Sequence, residues 1–365
     1  DGKTTNLLNF VGTVNGLGSF PDGTYTYRIT VTDDAQNSIA QTGTVFVDTV
    51  RPGGDIVLNS GAEYTNSTAA AAGIISSDSA PSSGVTHMQF GGNITAPSGW
   101  QNIADSAALT LSSGDNVKTV TIQVRDRAGN LSNLTGTTQD TVTLDTVAPT
   151  VAFGGQAADK WYSGNDPITV TLDDDKSYRG FKWQWVTWPL DDPNGSSTLK
   201  TGSTTHSDEG ERTLYVRVWD NAGNQKSASK VYKRDTVAPT ISYAGQAPDT
   251  WYSANNDITI KCSDTRAYRG IKYKWDGWPE ATEAETTESS ITTKHPGEGE
   301  KTLYIQAWDQ AGNSAPASYI YKRDSKPPQI TLTSDAAVSF NPYLNGSTAI
   351  SYDVTDSASG VASKN

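Results

Sequence analysis

The chain has a single cysteine, a single methionine and three histidines in 365 residues. Cys262 on its own excludes an internal disulfide and leaves no thiolate set for a zinc cage. It ends the alternating stretch "ITIKC" and is expected in a core. Few Met and Leu residues argue against helical packing. The longest small apolar run, "AAAAGII" at 69–75, falls far short of the roughly 18 residues a membrane helix needs. No initiator methionine or leader opens the sequence, so it reads as a piece of a larger protein. Catalytic signatures are missing too: there is no Gly-x-Ser-x-Gly, no His-Glu-x-x-His and no phosphate loop. His206 and His295 occupy matching places in two repeats and His87 lies in a third, so they are not partners in one site. The expectation is a protein that is not an enzyme.

What is abundant points elsewhere. There are 33 Gly and 16 Pro, with 40 acidic against 28 basic residues and a net charge of -12. Such a balance disfavours nucleic acid and anionic membranes as partners. It suits an exported protein or a cation binder. The apolar residues suffice for thin cores, as in β-sandwiches.

Three motifs recur in step. The first is Asp-Thr-Val-x-Pro, as "DTVAPT" at 145–150 and 235–240, "DTVRPG" at 48–53 and the looser "DSKPPQ" at 324–329. Its Asp falls at 48, 145, 235 and 324, a spacing near 90 that suits a whole small β domain. The second motif is "DDAQN" from 33, "DRAGN" from 126, "DNAGN" from 220 and "DQAGN" from 309. Each follows an alternating strand. "TLYVRVWD" puts Leu214, Val216 and Val218 on one face and Tyr215, Arg217 and Trp219 on the other. The Gly suits the left-handed position of a bulged hairpin, so the next strand returns at once. The third motif links two more strands: "DDDKSYRGFKWQW" from 173, "SDTRAYRGIKYKW" from 263, "SSDSAPSSGV" from 76 and "TDSASGV" from 355. In an immunoglobulin-like sandwich these would be the B–C loop and the F–G hairpin. Prolines 149, 239 and 327 stop a central strand and stiffen the step to the next unit.

Together the motifs resemble tandem bacterial immunoglobulin-like (Big-type) domains of large surface adhesins and other exported proteins. The resemblance covers nearly the whole chain. It implies an all-β fold of sandwiches arranged end to end. Partial units are expected over 1–48 and 325–365, with complete ones over 49–145, 146–235 and 236–324. It also implies an extracellular or cell-surface location and a spacer or stalk role, with neighbouring domains of the same chain as the partners and no direct membrane insertion.

Two chemistries are open. The B–C loop, the F–G hairpin and the incoming linker share one end of such a sandwich, and each carries Asp. The converging sets are Asp48, Asp78 and Asp126; Asp145, Asp173, Asp174, Asp175 and Asp220; Asp235, Asp264 and Asp309; and Asp324 with Asp356. Carboxylates from three segments suit calcium, and the resemblance implies calcium at such junctions. The competing reading is that each Asp caps its own turn. The second chemistry is aromatic: nine of the ten Trp lie in the units 146–235 and 236–324. Phe181, Trp183 and Trp185, and Ile271, Tyr273 and Trp275, are expected in the cores. Tyr215, Trp219 and Tyr232, with Tyr304, Trp308, Tyr319 and Tyr321, are expected on an outer face beside Lys and Arg. That face is either a surface of self-satisfied cross-strand pairs or a platform for a glycan or for lateral assembly of identical subunits into a sheath, filament or surface layer.

Overall fold

The computed structural model describes residues 20–134, 138–176, 178–189, 199–332 and 351–363. The expected partial units are thus described from residue 20 onward in the first case, and over 325–332 and 351–363 in the last. Regular structure among these residues is almost entirely strand, as the sparse helix formers and alternating patterns dictate. Among them, no helix is long and apolar enough to cross a membrane.

The unit around residues 150–234 sets the pattern. Thr150–Gly155, Ile168–Asp173 and Thr201–Thr204 form one antiparallel sheet. Trp161–Tyr162, Gln225–Arg234, Gly210–Asp220 and Tyr178–Trp185 form the other, in that spatial order. The following unit repeats it with Thr240–Gly245, Ile258–Ser263 and Ser290–Thr293 against Trp251–Tyr252, Ser314–Arg323, Gly299–Asp309 and Tyr268–Trp275. The preceding unit packs a four-stranded sheet against a five-stranded one. These are immunoglobulin-like sandwiches.

Each unit has its own core. One gathers Leu58, Ile122, Val124 and Leu111, a second Ile168, Leu172, Leu214 and Val218, and a third Ile258, Ile260, Leu303 and Ile305. Period-two alternation causes this: Leu214, Val216 and Val218 are completely buried, and each such side chain contributes about 1.5–3 kcal/mol. Cys262 joins the third core, as expected. Phe181, Trp183, Trp185, Ile271 and Trp275 pack on their cores as well. Tyr273 does not, being 37% exposed.

Two further features position the junctions. In each Asp-x-Ala-Gly-Asn hairpin the Gly has positive φ: 101° at Gly129, 95° at Gly223 and 91° at Gly312. A short strand then pairs parallel with the last strand of its unit, Tyr162 opposite Arg234 and Tyr252 opposite Arg323. That pairing carries the last strand in register up to the linker.

Candidate functional site at the domain junctions

The linker Asp is shared by two units. Its backbone N–H completes the sheet behind it: Asp145 donates to Thr65 O, Asp235 to Tyr162 O and Asp324 to Tyr252 O, each at 2.9 Å. Its carbonyl is taken by the unit ahead. Asn130 Nδ2 donates to Asp48 O at 3.0 Å, Asn224 Nδ2 to Asp145 O at 2.8 Å and Asn313 Nδ2 to Asp235 O at 2.8 Å. Each of these Asn residues ends an Asp-x-Ala-Gly-Asn hairpin, so the motif caps itself and grips the linker together.

The next residue is held from behind. Thr49 donates its amide and hydroxyl to Asp22, both at 2.9 Å. Thr146 binds Asp115, Thr236 binds Glu209 and Ser325 binds Glu298 in the same two-point way. These bonds hold the Glu209 and Glu298 carboxyls below the usual range, with the linker hydroxyl as the first cause in both. Sequence reasoning missed these four acids. Their signal was an acidic residue next to Gly (Asp22-Gly23, Gly114-Asp115, Glu209-Gly210, Glu298-Gly299) just before the F strand, in step with the linker.

Three clusters of carboxylates form ahead of the linkers: Asp48, Asp78 and Asp126; Asp145, Asp174 and Asp220; and Asp235, Asp264 and Asp309. Within each, one oxygen per residue lies within 4.8 Å of the others. Asp174 is the member from its loop. Asp173 pairs with Lys200 at 2.8 Å and Asp175 with Lys176 at 2.9 Å, both in exposed positions. Asp324 and Asp356 lie at one junction, but no third carboxylate joins them among the described residues.

Turn capping operates in every case. The linker Asp Oδ1 accepts the amide two residues on, from Val50, Val147, Val237 and Lys326. Asp264 Oδ1 accepts the amides of Arg266 and Ala267, both at 2.8 Å. Asp309 accepts Asn313 N at 2.8 Å and Asn313 Nδ2 at 2.6 Å. The second oxygen of the linker Asp then divides the junctions. Ser83 N donates to Asp48 Oδ2 at 2.8 Å and Ser359 N to Asp324 Oδ2 at 2.9 Å, because the Ser-Gly-Val loops present an amide there. The Ser359 bonds hold the Asp324 carboxyl down at about 2. Burial opposes ionisation of Asp48, yet the Ser83 bonds keep its carboxyl low. At Asp235 the loop reads "DTRAYRG" and offers no such amide. Asp235 is completely buried, and its Oδ2 has no hydrogen-bond partner. Asp264 Oδ2 is also buried and unpartnered. Burial, then the like charges of Asp264 and Asp309, push the Asp235 carboxyl up. Burial likewise raises Asp220 against the bonds from Asn224. Buried oxygens facing like charges, with no protein donor, are a donor set that fits a hard cation such as calcium. The fit is best at Asp235, Asp264 and Asp309.

The outer aromatic face needs correction. Residues directly opposite on paired strands share a face. Tyr232 lies opposite Arg212, Tyr319 opposite Leu303 and Tyr321 opposite Lys301, all on the core side. Tyr232 and Tyr321 are buried under Trp185 and Trp275, and Tyr319 packs on its core. Trp219 is only 6% exposed. What reaches the outer surface is Tyr215 packed at a tilt against Trp188, ring centroids 4.6 Å apart, and Tyr304 likewise against Trp278 at 4.9 Å. Trp308 lies under Lys272. Trp188 and Trp278, which follow the C strands, were not expected in this role.

No family model matches the chain. Over 179 residues, 49% of the chain, it is 26% identical to the serine-rich adhesin for platelets of Staphylococcus aureus, of which the match spans 8%. Among solved structures, the tetra-tandem repeat in the extending region of a large adhesion protein is 17% identical, covering 85% of this chain and 84% of that one at a TM-score of 0.33. Invasin, a bacterial integrin-binding protein, is 14% identical, covering 86% and 66% at 0.31. Fibronectin(III)-like modules from Clostridium thermocellum are 15% identical, covering 48% and 95% at 0.27. The chain's own paired sheets make it an array of tandem immunoglobulin-like domains, and these adhesins and modules are what it is similar to.

Proposed function

We propose that this chain is a stalk segment of an exported prokaryotic cell-surface protein, divided at residues 48, 145, 235 and 324, that holds a distal element away from the cell. Its work is mechanical rather than catalytic. The observation that carries this reading is the sharing of the linker Asp. Its amide belongs to one sandwich, its carbonyl to the next, and the following Thr or Ser is fastened behind. A linker of this kind has almost no free backbone, so successive domains are held at a fixed angle. The distant likeness to a platelet adhesin supports the cell-surface setting.

The same reading places calcium at the junctions, foremost among Asp235, Asp264 and Asp309. A divalent ion there would neutralise buried carboxylates contributed by the linker and two loops, adding stiffness where the protein supplies no donor. Scanning calorimetry of the whole chain in calcium and in chelator tests it, with Asp235→Ala alongside. A calcium-dependent rise in melting temperature that Asp235→Ala removes supports the metal. Identical melts in both conditions overturn it.

A second reading, a glycan-binding or lateral-assembly surface, is favoured by one observation. The exposed Trp188–Tyr215 pair recurs as Trp278–Tyr304, and Arg217 stacks over Trp188. Loss of glycan retention or of self-association in the double variant Trp188→Ala, Trp278→Ala would support it; retention unchanged by that variant would remove it.

A further inference from the structure

The junction at Asp235 already contains a cation. Arg266, from the B–C loop of the unit ahead, places Nη1 3.7 Å from Asp235 Oδ1 and 3.6 Å from Glu209 Oε2 of the unit behind. Neither approach is close enough for a hydrogen bond. Glu209 is meanwhile engaged by Arg234 at 2.9 Å and by Thr236. Apart from a 3.4 Å bond from Nη1 to Thr265 Oγ1 in its own loop, Arg266 is held by charge between a buried linker carboxylate and a carboxylate of the neighbouring domain. It leaves Asp235 Oδ2 and Asp264 Oδ2 unpartnered. A guanidinium is planar and presents its donors in a fork. It cannot enter a pocket walled by three carboxylates as a compact ion can.

Resting on the calcium reading above, we propose that Arg266 is a displaceable resident counter-ion: it latches the two domains through Glu209 and Asp235 when metal is absent, and a divalent cation binding at Asp235, Asp264 and Asp309 drives it off Asp235. The junction then has two closed states instead of one open and one closed, and calcium tightens it from a working baseline. The position is graded along the chain. Lys176 occupies the corresponding place in the preceding unit, where it pairs with Asp175 at 2.9 Å, whereas "DSAPSSG" (78–84) and "DSASG" (356–360) hold no basic residue. At Asp235, whose loop offers no such amide, Arg266 brings a positive charge to the other carboxylate oxygen instead.

Calcium titration of the full chain by calorimetry tests this, in a background of Asp78→Asn and Asp174→Asn that leaves one complete cluster. Arg266→Gln keeps much of the side chain and removes the charge; Arg266→Lys keeps the charge. Arg266→Gln is expected to bind calcium at least about tenfold more tightly, since a competing positive charge near 4 Å is removed, while its calcium-free melting temperature falls. Arg266→Lys should remain near the parent. Equal calcium affinity in parent and Arg266→Gln overturns the counter-ion role and leaves the metal site intact. No calcium heat in either chain overturns both.

Discussion

Asp235 is a residue at odds with its surroundings. Its carboxylate is completely buried, faces two others, and has one oxygen without a donor. Substituting Asn removes that charge and supplies an N–H toward Asp264 and Asp309. Asp235→Asn should therefore raise stability in chelator by about 1 kcal/mol, yet melt below the parent in calcium. Thermal denaturation of both chains in both buffers reads the crossover. His206 is a second such residue. It is 3% exposed, packed on Trp185, and neither ring nitrogen has a partner. Burial holds its imidazole below the usual range; Asp208 and Glu209 pull it up, and Arg212 and Arg234 push it down. The unfolded chain takes up a proton near pH 6.5 that the folded ring resists. Stability is present above that pH and falls as pH drops below it, by at most about 1.4 kcal/mol per pH unit. Denaturant titrations between pH 5 and 8 should show this slope shrink in His206→Phe. The Asp positions at 48, 145 and 235 were legible because a motif repeated them. The missing donor at Asp235 was not, because it depends on whether a loop amide from about 35 residues away reaches the carboxylate.

At the level of elements, the hairpin Asp309–Asn313 and the strand before it are the junction's grip. Asn313 caps Asp309 through its backbone N–H and donates Nδ2 to both Asp309 and Asp235 O. Asn313→Ala leaves a buried linker carbonyl unmet and should destabilise the array by about 1–3 kcal/mol, measured by denaturant unfolding. On the other side of the linker, Glu209→Ala frees Thr236. Amide hydrogen exchange at Thr236 should quicken there, with the core amides of Leu214 and Val216 unchanged. Strands and hairpins were readable from period-two alternation and the Gly at the turn. The faces of the last strands were not. Tyr232, Tyr319 and Tyr321 were expected outward because their strands flank the F strand, whereas the cross-strand register sets which face they share. That register follows from the length of the five-residue turn, which alternation within one strand does not encode. Gly202 makes the same point: the Trp183 ring lies where its side chain would be, a contact between sheets that no local pattern announces.

For the whole molecule, the spacing of one motif proposes the division into units, and the described residues hold three separate cores. What the spacing does not contain is the way one residue serves two sandwiches. The account turns on that sharing, and a distance measurement across one junction tests it most directly. Cys262 is buried with its thiol pushed up to about 11, so spin labels will attach selectively at introduced cysteines. Labels at Ser229→Cys and Ser318→Cys, equivalent exposed positions on successive units, would be read by pulsed electron resonance with and without calcium. The account predicts a single narrow distance distribution in chelator, narrower still in calcium, and broadened by Asn313→Ala. A broad distribution in both conditions, indifferent to Asn313→Ala, would mean that the linker is a free hinge and would contradict the stiff arm.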